Sequence, residues 1–149
     1  MSEAKKILIV DDEPGLRTLL AQLLAKEAFS VLQAADGKEA VRQTERERPD
    51  LVILDIVLEG MDGFEVYRLI RDNPLTRATP VIFMTGLCGE GRAGRTQLEI
   101  MARAKHGGEF SFDPMVQVLA KPYSVGRLIR AIRQGLEPHK VPGGASNRF

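Results

Sequence analysis

Tryptophan is absent from this chain and cysteine occurs once, at Cys88. A lone thiol cannot staple a fold, so disulfide scaffolds are excluded and a reducing, cytoplasmic compartment is expected. An excess of charge of one sign is missing too: 21 Lys and Arg stand against 20 Asp and Glu, a formal net charge of +1. That balance argues against a protein built chiefly to bind nucleic acid. Long apolar runs are also lacking. In the opening MSEAKKILIVDDE only Ile7 to Val10 are continuously apolar before acids intervene, too few for a signal-peptide core or a bilayer span. What is present is a hydrophobic fraction of 44%, too high for a disordered chain. One domain is the natural reading, and such a chain can bury roughly 68–70% of its unfolded surface.

Short apolar runs alternate with longer stretches of helical period. KILIVD (6–11) reads as a strand buried on both faces, bounded by acids and Pro14. After it, Leu16, Leu19, Leu20, Leu23 and Leu24 recur at three- and four-residue spacing, with Pro14 suited to the first helical turn. FSVLQA (29–34), LVILD (51–55), PVIFMTG (80–86) and VQVLA (116–120) supply four further strands. Helices are predicted after Asp36–Gly37, around Phe64 to Ile70, near Gln97–Lys105, and from Val125 to Leu136. Alternation of this kind implies right-handed βαβ units and a parallel sheet covered on both faces. Five strands point to an α/β, flavodoxin-like, doubly wound domain of order 2-1-3-4-5 over residues 5–136. The remainder, 137–149, is rich in Pro and Gly and reads as a flexible tail. Residues 86–115 form an extended, atypical segment, longer than one helix with short loops requires.

In an open parallel sheet, functional groups gather at the carboxyl ends of the strands. There the sequence puts Asp11 and Asp12 after the first strand, Asp55 at the end of the third, Thr85 at the end of the fourth and Lys121 just after the fifth. Three neighbouring carboxylates repel one another unless a cation sits among them. Oxygen-only ligands favour a hard ion, Mg2+ above all, which keeps waters and accepts a phosphate. A Lys ammonium and a Thr hydroxyl facing that ion are suitable donors to phosphoryl oxygens. Asp55, central in the sheet, is the best placed nucleophile and would form an acyl phosphate.

These residues resemble the receiver domain of two-component response regulators (CheY-like): the acidic pair in ILIVDDE, Asp55 in LVILDIVLEGMDGFEV, Thr85 in VIFMTG, and Lys121–Pro122 in VLAKPY. By that resemblance Asp55 is the phospho-acceptor, and Asp12 and Asp55 contact Mg2+ directly. Asp11 acts through water, and the backbone carbonyl of Val57 completes the protein ligands. Thr85 and Lys121 bind the phosphoryl group, and the Lys121–Pro122 bond is cis, an uncommon state for X–Pro. The donor would be a phosphohistidine on a sensor histidine kinase or a histidine phosphotransfer protein, and the output a switched surface around helix four, strand five and helix five that docks an unidentified protein. A second copy of the chain is a further partner to consider. The resemblance implies a signalling domain that assists its own phosphorylation and dephosphorylation, rather than an enzyme in the usual sense. The rival reading keeps the fold as a phosphorylation-independent interaction module. An aspartate-nucleophile phosphatase would need a second acid two residues after the nucleophile, where Val57 stands.

Three departures from the family pattern are visible. Val118 replaces the aromatic usual three residues before the Lys, leaving Phe110, Phe112 or Tyr123 to substitute. The Thr85-to-Lys121 interval is longer than usual by roughly a dozen residues. Glu59 stands where Pro is frequent. Val57 and Leu87, both apolar, predict slow self-dephosphorylation because they hinder an incoming water. Gly89 to Gly94 matches GxGxxG but lies in the fourth unit rather than the first, and so reads as a flexible linker. Arg127, Arg130 and Arg133, with Arg92, Arg95, Arg103 and Lys105, read as solvated helix faces. His106 and His139 lack metal-ligand neighbours, and Cys88 reads as an inert loop or semi-buried thiol.

Overall fold

The structure is a computed structural model in which residues 3–89 and 91–138 are described. Most of the expected tail, with His139, lies outside the described residues. The chain runs β1 (Lys6–Val10), α1 (Pro14–Lys26), β2 (Ser30–Ala34), α2 (Gly37–Glu47), β3 (Leu51–Asp55), α3 (Gly63–Asp72), β4 (Val81–Thr85), α4 (Gly91–His106), β5 (Val116–Ala120) and α5 (Val125–Leu136). All strand pairings are parallel and the order is β2-β1-β3-β4-β5. The doubly wound architecture expected from the alternating pattern is the one observed.

Strand parity sorts the core into two layers. Ile7, Ile9, Leu51, Ile53, Ile82 and Met84 face Leu20 and Leu24 of α1 and Leu128 and Ile132 of α5. Leu8, Val10, Val52, Leu54, Val81 and Phe83 face the other way, onto residues of α2, α3 and α4. Ile7 to Val10 and Leu51 to Leu54 are all fully inaccessible, which is why these runs are apolar without alternation. Each such side chain gains about 1.5–3 kcal/mol on burial. Helix starts are set locally: Asp36, Asp62 and Ser124 accept bonds from the N–H groups of Glu39, Glu65 and Arg127, which otherwise lack partners.

The segment after β4 differs from the reading as a linker with a short helix. α4 is 16 residues long and opens at Gly91. Gly94 is the reason the Gly-rich stretch can be helical: a Cβ there would overlap the carbonyl oxygen of Gly89, so only glycine lets the loop cross so close to the helix. Arg95, expected on a solvated face, is instead half-buried. Its Nη2 donates to the carbonyls of Phe112 at 2.8 Å and Asp113 at 3.0 Å, and its Nη1 to that of Val116. Glu99 accepts from the Phe112 N–H at 2.6 Å. The connection 107–115 is thereby pinned to α4, and it delivers Phe110 and Phe112 into the core.

Candidate functional site

β1, β3 and β4 end side by side on one rim, and the register fixes what stands there. Asp11 follows β1, Asp55 pairs with Met84 across β3 and β4, and Thr85 pairs with Ala120. The Lys121 N–H donates to the Thr85 carbonyl at 2.8 Å, which carries Lys121 to the same edge. Its Nζ lies 3.0 Å from Asp55 Oδ2. The Lys121–Pro122 peptide is cis, as the resemblance implied. Asp11, Asp55 and Thr85 are buried at 1%, 7% and 2% exposure, so the rim is a recess; Asp12 is exposed at its mouth.

Backbone groups hold these side chains in place. The Val57 N–H donates to Asp55 Oδ1 at 3.2 Å, the Leu87 N–H to Thr85 Oγ1 at 2.9 Å, and the Glu13 N–H to Asp11 Oδ1 at 2.9 Å. Arg17 of α1 reaches back to the Asp11 carbonyl at 2.7 Å. The loop after Asp55 closes tightly because residue 63 is glycine. Its N–H donates to the Ile56 carbonyl at 2.9 Å, and a Cβ would overlap the Asp55 carbonyl oxygen.

Electrostatically the recess is short of positive charge. Asp11 Oδ2 is buried without a hydrogen-bond partner among the described residues. Burial pushes the Asp11 carboxyl above its ordinary value, and the negative charge of Asp55 adds to this, while the Glu13 N–H and Lys121 oppose it. Burial likewise raises the Tyr123 hydroxyl, which also feels Asp11 and Asp55. An orphaned carboxylate oxygen is costly, and the donor set here is entirely oxygen. Such a set fits a hard divalent cation rather than a soft one.

This geometry can be set against known proteins. The family model for the response regulator receiver domain matches residues 7–104. The chain belongs to the response regulator receiver family. As a receiver, it is 35% identical over 132 residues to sporulation initiation phosphotransferase F of Bacillus subtilis, covering 89% of this chain and 94% of that one. It is 45% identical over 87 residues to response regulator PleD of Caulobacter vibrioides, which is 58% of this chain but 19% of PleD. The receiver thus spans about a fifth of that longer relative. Among solved structures, the receiver domain of a sensor histidine kinase from Pseudomonas aeruginosa, with a magnesium ion coordinated in its active-site cleft, superimposes with a TM-score of 0.70. That match has 29% identity and covers 91% of this chain and 99% of the other. Among the described residues, no helix of this receiver is long and apolar enough to cross a membrane.

The remaining sequence expectations divide. Val118 is buried in the α4-side core, and Phe110 and Phe112 are core residues stacked among Phe64, Tyr67 and Phe83 rather than rim groups. Of the aromatics offered as substitutes, Tyr123 alone is electrostatically coupled to the rim carboxylates. Glu59 is exposed. Val57 and Leu87 are 63% and 51% exposed beside the recess. Arg127, Arg130 and Arg133 are exposed as expected, with Arg133 pairing to Glu27 at 3.0 Å. Lys105 is not merely solvated, since its ammonium is 2.8 Å from Asp62 Oδ2. His106 also has a carboxylate neighbour, Asp62, 44 residues away in sequence. Local spacing gives no signal of that contact.

Proposed function

We propose that Asp55 accepts a phosphoryl group from a phosphohistidine on a sensor histidine kinase or a histidine phosphotransfer protein. Asp11, Asp12, Asp55 and the carbonyl of Val57 would hold Mg2+. When bound, that ion offsets negative charge on the phosphoryl oxygens. The carboxylate of Asp55 forms the new P–O bond as the P–N bond of the donor breaks and its electron pair leaves with the imidazole. The ammonium of Lys121 and the hydroxyl of Thr85 orient the phosphoryl oxygens and stabilise their charge. The backbone N–H of Val57 already fixes the Asp55 side chain, so the nucleophile needs little reorganisation. Thr85 then turns toward the phosphate, and the face made by α4, β5 and α5 changes its partner preference. The unit that does this is the receiver, residues 5–136, acting in the cytoplasm.

The observation that carries this reading is Asp11 Oδ2, buried and without a partner among the described residues, near an Asp55 that already pairs with Lys121. Incubation with acetyl phosphate and Mg2+, followed by intact-mass and peptide mass spectrometry, tests it. One phosphoryl group on Asp55 is expected, lost in Asp55→Asn and on chelation of the metal. An unmodified wild-type chain would favour the interaction-module reading instead. The exposed Val57 and Leu87 shield the acyl phosphate from water. Val57→Asn and Leu87→Glu are therefore expected to shorten its lifetime by severalfold, read as the decay of the phosphorylated mass; unchanged decay would refute the shielding role.

A further inference from the structure

Away from the rim, three potential ligands of two chemical kinds converge where α3 begins and α4 ends. The ligating atoms of Asp62, Glu65 and His106 all lie within 4.8 Å of one another. The His106 ring is wedged edge-on against Phe64, with centroids 6.2 Å apart, and lies 6.5 Å from Phe110. That packing aims Nε2 at Asp62 Oδ2, 2.8 Å away. The Asp62 side chain is only 6% exposed, and its Oδ1 is fixed by capping the N–H of Glu65 at 3.0 Å. A cation already rests on the same Oδ2 that His106 faces: Lys105 Nζ lies 2.8 Å from it at the end of a 63% exposed side chain.

We propose that Asp62, Glu65 and His106 form a binding site for a transition-metal divalent cation of the zinc class, separate from the oxygen-only rim. An imidazole beside two carboxylates favours Zn2+ or Co2+, whereas Mg2+ prefers oxygen alone. Zinc–ligand bonds of about 2.0–2.2 Å set neighbouring ligands roughly 3.4 Å apart in a tetrahedron. Glu65 closes in by rotation of its half-exposed side chain, and the 2.8 Å separation of His106 Nε2 and Asp62 Oδ2 opens to that spacing as their hydrogen bond gives way to two metal bonds. Lys105, the 63% exposed end of its pair with Asp62, swings out to solvent as the charge of the ion replaces its own beside that carboxylate. The positive end of α3 opposes the ion with about half a charge, against two full charges from the carboxylates. Three protein ligands leave a fourth position for water. An ion there would tie the loop that follows Asp55 to the far end of α4.

The test titrates the full chain with Zn2+ against a chromophoric chelator in excess Mg2+, with Co2+ absorption as a second readout. One Zn2+ per chain is expected. His106→Gln should weaken binding by more than the roughly 10–100-fold that loss of an outer-shell partner costs, and should abolish the Co2+ bands. Glu65→Gln should weaken it as well. Lys105→Ala should tighten it by removing the competing ammonium, a change of sign that a purely structural role for the cluster would not produce. Asp55→Asn and His139→Gln should leave it unchanged. Circular dichroism establishes that each variant is folded, and Lys105→Ala, an exposed change, keeps the test decisive if His106→Gln is not. Sub-stoichiometric binding, loss of binding on His139→Gln or Asp55→Asn, or weaker binding by Lys105→Ala would each overturn the proposal.

Discussion

The two faces of the sheet are built from different materials. Under α1 and α5 the buried residues are all aliphatic or methionine, from Ile7 and Leu20 to Leu128 and Ile132. Under α2, α3 and α4 lie Phe64, Tyr67, Phe83, Phe110 and Phe112, with ring centroids between 5.1 and 6.4 Å apart. The first layer needs only strands and helices of the right period. The second depends on a loop that arrives from outside any regular element and must be held there by polar clamps. Tyr67 donates to Asp113 Oδ2 at 2.7 Å, Arg71 pairs with the same carboxylate, and Arg95 grips the adjacent carbonyls. An aromatic layer gains large burial and edge-to-face contacts, but here its integrity is non-local.

The largest expected effect comes from breaking that dependence. Phe112→Ala should cost about 3–5 kcal/mol and raise amide exchange throughout 107–115, because the ring anchors the loop. Ile132→Val on the opposite face should cost about 0.5–1.5 kcal/mol with no local opening. Urea denaturation with hydrogen exchange checks both. An unchanged loop in Phe112→Ala would show that the two layers do not differ as described.

A smaller effect is expected from pH, and Asp113 and Tyr67 place part of it on the clamped face. Burial opposes the Asp113 charge, yet Arg71 and Tyr67 hold its carboxyl below the ordinary 3.8. A lowered folded value means that stability is fully present above the unfolded value and is lost as pH falls through the folded one. Urea midpoints of the wild type should therefore drop more steeply below about pH 4 than those of Asp113→Asn. Tyr67 is pushed up, chiefly by burial, to about 12 from 10.0. The fold keeps that proton while the unfolded chain gives it up, so stability should decline between pH 10 and 12, and Tyr67→Phe should flatten that limb.

The contrast also explains what the sequence made legible. Runs such as ILIV and LVIL are apolar throughout because both sides of β1 and β3 are covered, so strand positions, topology and the rim residues could be read directly. Asp11, Asp55, Thr85 and Lys121 are each tied to a strand end, where position in sequence translates into position in space. The start of α4 was not legible. GEGRAG carries glycines that locally favour a loop, yet α4 opens at Gly91, and only glycine at 94 lets the Gly89 carbonyl pass so close to that helix. Phe110 and Phe112 sit in a stretch with no period, and their burial is decided by Arg95 and Glu99 from another element. The surroundings of His106 are illegible for the same reason: Asp62, which caps α3, lies 44 residues away, beyond the reach of any spacing rule.

An open parallel sheet has two unpaired margins, here β2 and β5, and each exposes backbone acceptors on which a foreign strand could grow. Arg95 covers the Val116 carbonyl on one margin, and Gln43 of α2 donates to the Gln33 carbonyl at 2.6 Å on the other. Arg95 and Gln43 thus each occupy an acceptor to which an added strand would bond.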